Sequence, residues 1–124
     1  MQPSDPTAAR VVLVTAPDRG TAEALARDVV ERRLVACANL LPGVTSVFRW
    51  EGRVDTEEEV LLVLKTTAER LGALETRLHE QHPYDVPEFV ALPAAHVSGP
   101  YLGWLRAAVA DEAPTDPGAD PSDG

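Results

Sequence analysis

Val60 to Leu64 reads VLLVL, five apolar residues in succession with no polar face. Side chains along a strand point alternately to its two faces, so such a run requires apolar cover on both sides. Val11 to Ala16 (VVLVTA), β-branched and stopped by Pro17-Asp18, reads the same way. Two strands of this kind belong at the middle of a sheet. A 124-residue chain with 44% hydrophobic and 25% charged residues matches one globular domain, so both must share one core.

The VLLVL run is the buried base of a hairpin that extends from Leu34 to Thr67 and turns at Glu51-Gly52. On the entering arm Val44, Ser46, Phe48 and Trp50 share one face, and Thr45, Val47 and Arg49 the other. Pro42-Gly43 interrupts that arm and predicts a bulge or bend, because proline cannot donate to a ladder. The leaving arm, Arg53 to Glu59, is highly charged. A hairpin anchored in a core at one end and aromatic at the other exceeds what so small a monomer can cover, and predicts packing on another copy.

Along the remaining chain, Asp18 is placed to cap a helix whose apolar positions Ala22, Leu25, Ala26, Val29 and Val30 recur with helical spacing up to Arg32-Arg33. Thr66-Thr67-Ala68-Glu69 fits a capping box before a second helix with the stripe Ala68, Leu71, Leu74 and Leu78, closed by Pro83. Pro87 to Leu92 predicts a short edge strand. Ser98-Gly99-Pro100 opens a third helix with Tyr101, Leu102, Leu105, Ala108 and Val109 on its apolar side. The order is that of an α+β, ferredoxin-like βαββαβ sandwich with an additional C-terminal helix and a long β2-β3 hairpin. Helices are expected on one face of the sheet. The other face needs a further copy.

The formal charge of −9 is unevenly spread. Five acids and no base fall in Asp111 to Gly124, and Asp5 cancels Arg10, which leaves −4 on Val11 to Ala110. A modest acidic charge argues against nucleic-acid binding. Residues 1–10 and the acidic, Pro-rich residues 111–124 are expected to be disordered tails around a domain spanning 11–110. No apolar leader or membrane-length run is present, and the lone Cys37 suits a reducing compartment, so a cytoplasmic location without membrane attachment is expected.

The strings VTAPDRGTAEALA, LVACANLLPGVTSVFRWEG, EEEVLLVLKTT, HPYDVPEFVALP and YLGWL, in this order and spacing, resemble the CutA family of divalent-cation tolerance proteins over about Val11 to Ala110. The resemblance implies a ferredoxin-like homotrimer in which the long hairpin makes sheet-to-sheet contacts between subunits. It also implies a role in metal tolerance, with copper or another divalent cation as the cofactor.

Cys37 matches a family position implicated in copper binding, and a soft thiolate suits reduced copper. Equally, Cys37 can be a small buried hydrophobe between Ala36 and Ala38. Val14 stands where some members carry another cysteine, which excludes a two-thiolate site in one chain. His82 lies in the family-like HPYDVPE segment, preceded by Gln81 where some members have a second histidine. His79 and Glu75 share a helix face with it by spacing, a pattern that exposed helix ends also show by chance. Glu57 and Glu59 point together and Glu58 away; oxygen ligation of a hard cation by Glu59 competes with a simple charged edge. Lys65, Tyr84 and Glu88 are expected to converge at a cleft between subunits, as ligand groups or as an ion pair. Trp50 is expected to anchor the interface. His96 has no visible partner.

These residues point to a metal-linked trimer without catalysis. A second reading is a trimer built like the PII signalling proteins, taking a small anionic metabolite at Lys65. The chain contains no G-x-x-x-x-G-K-[ST], H-E-x-x-H or G-x-S-x-G motif, so an enzyme is not expected.

Overall fold

A computed structural model of the chain describes residues 5–110. The expectations for residues 1–4 and 111–124 lie outside that range. The elements are β1 (Ala9–Ala16), α1 (Arg19–Glu31), β2 (Cys37–Trp50), β3 (Arg53–Thr67), a 3₁₀ turn (Ala68–Arg70) running into α2 (Leu71–Gln81), β4 (Val90–Pro93) and α3 (Gly99–Ala108). The four strands form one antiparallel sheet in the order β2-β3-β1-β4. The two runs without a polar face are therefore the central strands, and the fold is α+β of the ferredoxin-like type.

Pairing of Val12 with Leu64, Val14 with Leu62 and Ala16 with Val60 puts these side chains on one face of the sheet. Ala22, Leu25, Ala26 and Val29 of α1 and Leu74 and Leu78 of α2 pack on them in a single core. A fully buried aliphatic side chain contributes about 1.5–3 kcal/mol. Leu62, Leu64, Leu74 and Leu78 thus hold helices and sheet together.

The second face carries Val11, Leu13, Leu61, Val63 and Lys65, all half-buried. Contrary to expectation, this face is not bare of helix. Tyr101 of α3 approaches Cys37, which pairs with Lys65 on this face. α3 therefore covers the Lys65–Thr67 end, where Thr67, Leu105 and Val109 are buried. Leu41 further along β2, and Val90 and Leu92 on the edge strand β4, remain about 44–45% exposed.

Local chemistry explains most boundaries. Asp18 accepts from the Thr21 backbone N–H at 2.7 Å and caps α1 as expected. Glu51 and Gly52 have φ of 50° and 78°, so the hairpin closes in a two-residue turn of type I′. Between the pairs Leu41–Leu61 and Val44–Glu59, Pro42 and Gly43 face only Val60, which is the expected bulge. The bulge moves the even-numbered side chains of β2 onto the second face.

Other expectations need correction. Val30 is 40% exposed because it lies beside the α1 stripe that meets the sheet. Thr67 makes no side-chain cap; Thr66 and Thr67 stay in β3, where the Thr66 hydroxyl donates to the Leu34 carbonyl at 2.7 Å. β4 begins at Val90 rather than Pro87, and β1 begins at Ala9 rather than Val11. Residues 5–8 are tied to the domain, with the Ala8 carbonyl accepting from Ala68 and that of Pro6 from Glu69.

Candidate functional site

Beyond the end of β1 the β2-β3 hairpin continues alone, and residues 82–89 cross from α2 to β4 beside it. Between them lies a cleft of about 890 Å³ whose walls include Phe48, Trp50, Glu57, Glu59, Tyr84 and Glu88. The two-residue turn sets the register: Trp50 pairs with Arg53, Phe48 with Asp55, Ser46 with Glu57 and Val44 with Glu59. Alternation then places aromatic and carboxylate side chains on the same face, and Glu58 on the other.

Glu59, 9% exposed, accepts a 2.8 Å hydrogen bond from the Tyr84 hydroxyl. Burial, and then the bonded Glu59 carboxylate, push the Tyr84 phenol well above its usual range. Although Glu88 is largely exposed, partial desolvation at the cleft wall and the neighbouring charge of Glu59 raise its pKa. Asp55 and Asp85 add further carboxylates, and Arg49 is the basic residue of the lining. The cleft thus favours cations electrostatically and repels anions.

His82 is buried and bonded within the chain. Its Nε2 donates to the Thr15 carbonyl at 2.7 Å, and its Nδ1 accepts from the Tyr84 backbone N–H at 3.1 Å. Both nitrogens are engaged within the chain, which leaves no lone pair for a metal. His79 is exposed on α2, its Nδ1 donating to the Glu75 carbonyl at 2.9 Å, and the two imidazoles do not form a shared site. His96 is exposed in the loop after β4.

Trp50, Tyr84, Glu88 and Glu59 are brought together as one cleft. Lys65 is not part of it. Six residues along β3 separate Lys65 from Glu59, about 20 Å at strand spacing. Lys65 instead pairs with Cys37 across the ladder and donates from Nζ to the Asn39 side-chain carbonyl. Cys37 is half-buried there, 3.8 Å from Asn39 Oδ1, and burial followed by its thiol raises the pKa of Tyr101. Cys37, His82 and Glu59 therefore do not converge within one chain. Among the described residues no three of His, Cys, Asp or Glu are grouped to hold a metal ion, and no helix is long and apolar enough to cross a membrane.

Sequence reasoning missed Asp55, Asp85 and the Thr15 carbonyl. Asp55 was countable from the turn, since a two-residue loop places it opposite Phe48. Asp85 and Thr15 join through the path of residues 82–89, for which the sequence carries no periodic signal.

The family model described as CutA1 divalent ion tolerance protein matches residues 10–108. The divalent-cation tolerance protein CutA of Thermus thermophilus is 48% identical over 96 residues, covering 77% of this chain and 93% of that protein. The protein of the same name from Escherichia coli is 47% identical over 106 residues, covering 86% and 95%. Among solved structures, that of CutA1 from Oryza sativa superposes with a TM-score of 0.81 at 39% identity, covering 86% of this chain and 99% of that one. The Thermus thermophilus structure gives 0.81 at 45% identity, covering 82% and 99%. A model match across nearly all described residues, with relatives 47–48% identical over most of both chains and solved structures of the same fold, makes this chain a member of the CutA1 divalent ion tolerance family.

Proposed function

We propose that the chain acts as a homotrimer in divalent-cation tolerance, binding cations weakly and without catalysis. The observation that carries this reading is the apolar surface left on one subunit. Val47 and Val54 are 66% and 65% exposed on the hairpin arm, Trp50 is 49% exposed near its tip, and Leu41, Val90 and Leu92 lie open on the second face. Patches of this kind mark interfaces. The number three rests on the resemblance to the CutA family, whose hairpins make the sheet-to-sheet contact. A cytoplasmic location belongs to this reading and is supported by the unpaired thiol of Cys37.

Two chemistries are available to a cation. The carboxylates of the cleft offer hard oxygen donors, suited to ions such as magnesium or manganese. Cys37 offers a soft donor suited to reduced copper. The carboxylates are spread along the cleft walls, so binding there is weak and unselective. An anionic metabolite is disfavoured, because carboxylates wall the cleft and Lys65 lies away from it.

Sedimentation and calorimetric titration test the proposal together. A folded species of three subunits is expected at micromolar concentration, and a folded single subunit would refute the assembly. Copper(I) binding that disappears in Cys37→Ala would assign the soft site to that thiol, and unchanged stoichiometry would remove it. Glu57→Gln with Glu88→Gln is expected to weaken manganese binding several-fold, and unaltered binding would retire the carboxylate cleft.

A further inference from the structure

We propose that His82 is an acid-responsive latch: its neutral imidazole holds the 84–88 wall of the cleft in place, and proton uptake at Nδ1 releases that wall. The inference rests on the hydrogen-bond roles of the ring and stands whichever ligand the cleft takes.

His82 is 8% exposed and sits at the point where the chain leaves α2, its backbone N–H donating to the Leu78 carbonyl at 2.8 Å. A carbonyl can only accept, so Nε2, 2.7 Å from the Thr15 oxygen, carries a hydrogen. A backbone N–H can only donate, so Nδ1, 3.1 Å from the Tyr84 nitrogen, offers its lone pair. The two partners select one neutral tautomer. They also make the ring intolerant of a second hydrogen. A proton from solvent would occupy the Nδ1 lone pair and set an N–H donor against the Tyr84 N–H donor. The bond is then lost, and a backbone donor is left without its partner.

What depends on that bond is the cleft wall. Tyr84 lies with its ring 4.7 Å from the imidazole, and its hydroxyl donates to buried Glu59. The next four residues, Asp85 to Glu88, line the cleft. Titratable and charged groups surround Tyr84 from each neighbouring element. These are Glu57 and Glu59 on β3, Asp18 before α1, and Asp85 and Glu88 on the segment itself, with Arg49 on β2. The device couples acidification to the wall that carries Tyr84 and Glu88, without requiring either to titrate.

Nitrogen-15 NMR on the full chain tests the latch. At neutral pH the ring of His82 is expected to show a protonated Nε2 and a bare Nδ1; the opposite pattern would overturn the proposal. On acidification, hydrogen-exchange protection of the Tyr84 amide, corrected for intrinsic rate and compared with a β1 amide, is expected to fall at least tenfold in step with the His82 ring shifts. A ring that titrates with Tyr84 still protected, or that never takes up a proton while the fold persists, would refute it. His82→Asn keeps an acceptor near the Nδ1 position and cannot charge, so its Tyr84 amide should show no acid transition; the same transition in the variant would also refute it. Should the variant fail to fold, the ring pattern and the paired titration of the unmodified protein decide the matter.

Discussion

Arg77 on α2 grips both carboxylate oxygens of Asp28 on α1, with Nε 2.8 Å from Oδ2 and Nη2 2.9 Å from Oδ1. A planar guanidinium matches a carboxylate in this two-bond form, so the pair sets the distance and rotation between the helices as well as adding attraction. Arg32 adds a third bond to Asp28 Oδ1 at 3.0 Å. The bonds from Arg77 and then Arg32 hold the Asp28 carboxyl down to about 2, against burial, which acts the other way.

Because the folded pKa of Asp28 is depressed below 3.8, its contribution is fully present above that value and is lost as pH falls towards 2. Allowing for partial exposure, the contribution is on the order of 1–2 kcal/mol. Asp28→Asn is therefore expected to lower the denaturation midpoint at pH 7 and to match the unmodified protein near pH 2. Urea unfolding at fixed subunit concentration checks this, and a deficit that persists unchanged in acid would contradict it.

Tyr84→Phe removes the donor to Glu59 and leaves a buried carboxylate without its bond. Loss of a hydrogen bond to a charged group predicts destabilisation of about 1–2 kcal/mol at pH 7, read by urea unfolding. An unchanged midpoint would mean that Glu59 finds another partner.

Glu88 behaves in the opposite sense to Asp28. Its folded pKa is raised above 4.5 by partial desolvation and by Glu59, so its ionised form costs a little stability above the folded value, screened because the side chain is largely exposed, and the cost vanishes as pH falls below 4.5. Glu88→Gln should raise Tm at pH 7, with the difference closing towards pH 4. A gain that grows in acid would refute this account.

Thr67 is fully buried, and its hydroxyl is the buried side-chain polar atom without a hydrogen-bond partner among the described residues. Thr67→Val keeps the shape and removes the unpaired group. Stability should stay level or rise by up to about 1 kcal/mol, as measured by thermal unfolding. A clear loss would show that the hydroxyl has a partner in the assembly.

Trp50 is half exposed on one subunit, so its replacement should cost the isolated fold little. As an interface anchor it carries more. Trp50→Asp is expected to weaken association by about 2 kcal/mol or more, visible in sedimentation as dissociation at low concentration. A variant that remains fully assembled under dilution would remove Trp50 from the interface.

The two strands that lie at the centre of the sheet were legible because Val11 to Ala16 and Val60 to Leu64 lack a polar face, and only an interior position covers both sides of a strand. The Asp18 cap, the Glu51-Gly52 turn and the Pro42-Gly43 bulge were legible because each depends on the backbone preferences of one or two residues. The failures share a different cause. Thr66 and Thr67 suit a cap and a strand equally well, and pairing of Thr67 with Ala9 and the bond from Thr66 to Leu34 keep them in the strand. Lys65 and Cys37 were assigned by the strings around them, yet their neighbours come from β2 and α3.

Periodicity and turn chemistry in the sequence thus settled which segments are strands and helices, which strands are central, and that Glu57 and Glu59 share a face, because each follows from residues near one another in the chain. Tertiary structure alone decided that this face is the one left by α1 and α2, that residues 82–89 bring Tyr84 to Glu59, and that His82 spends both nitrogens on Thr15 and Tyr84. Those relations join atoms up to 67 residues apart, and only packing fixes them.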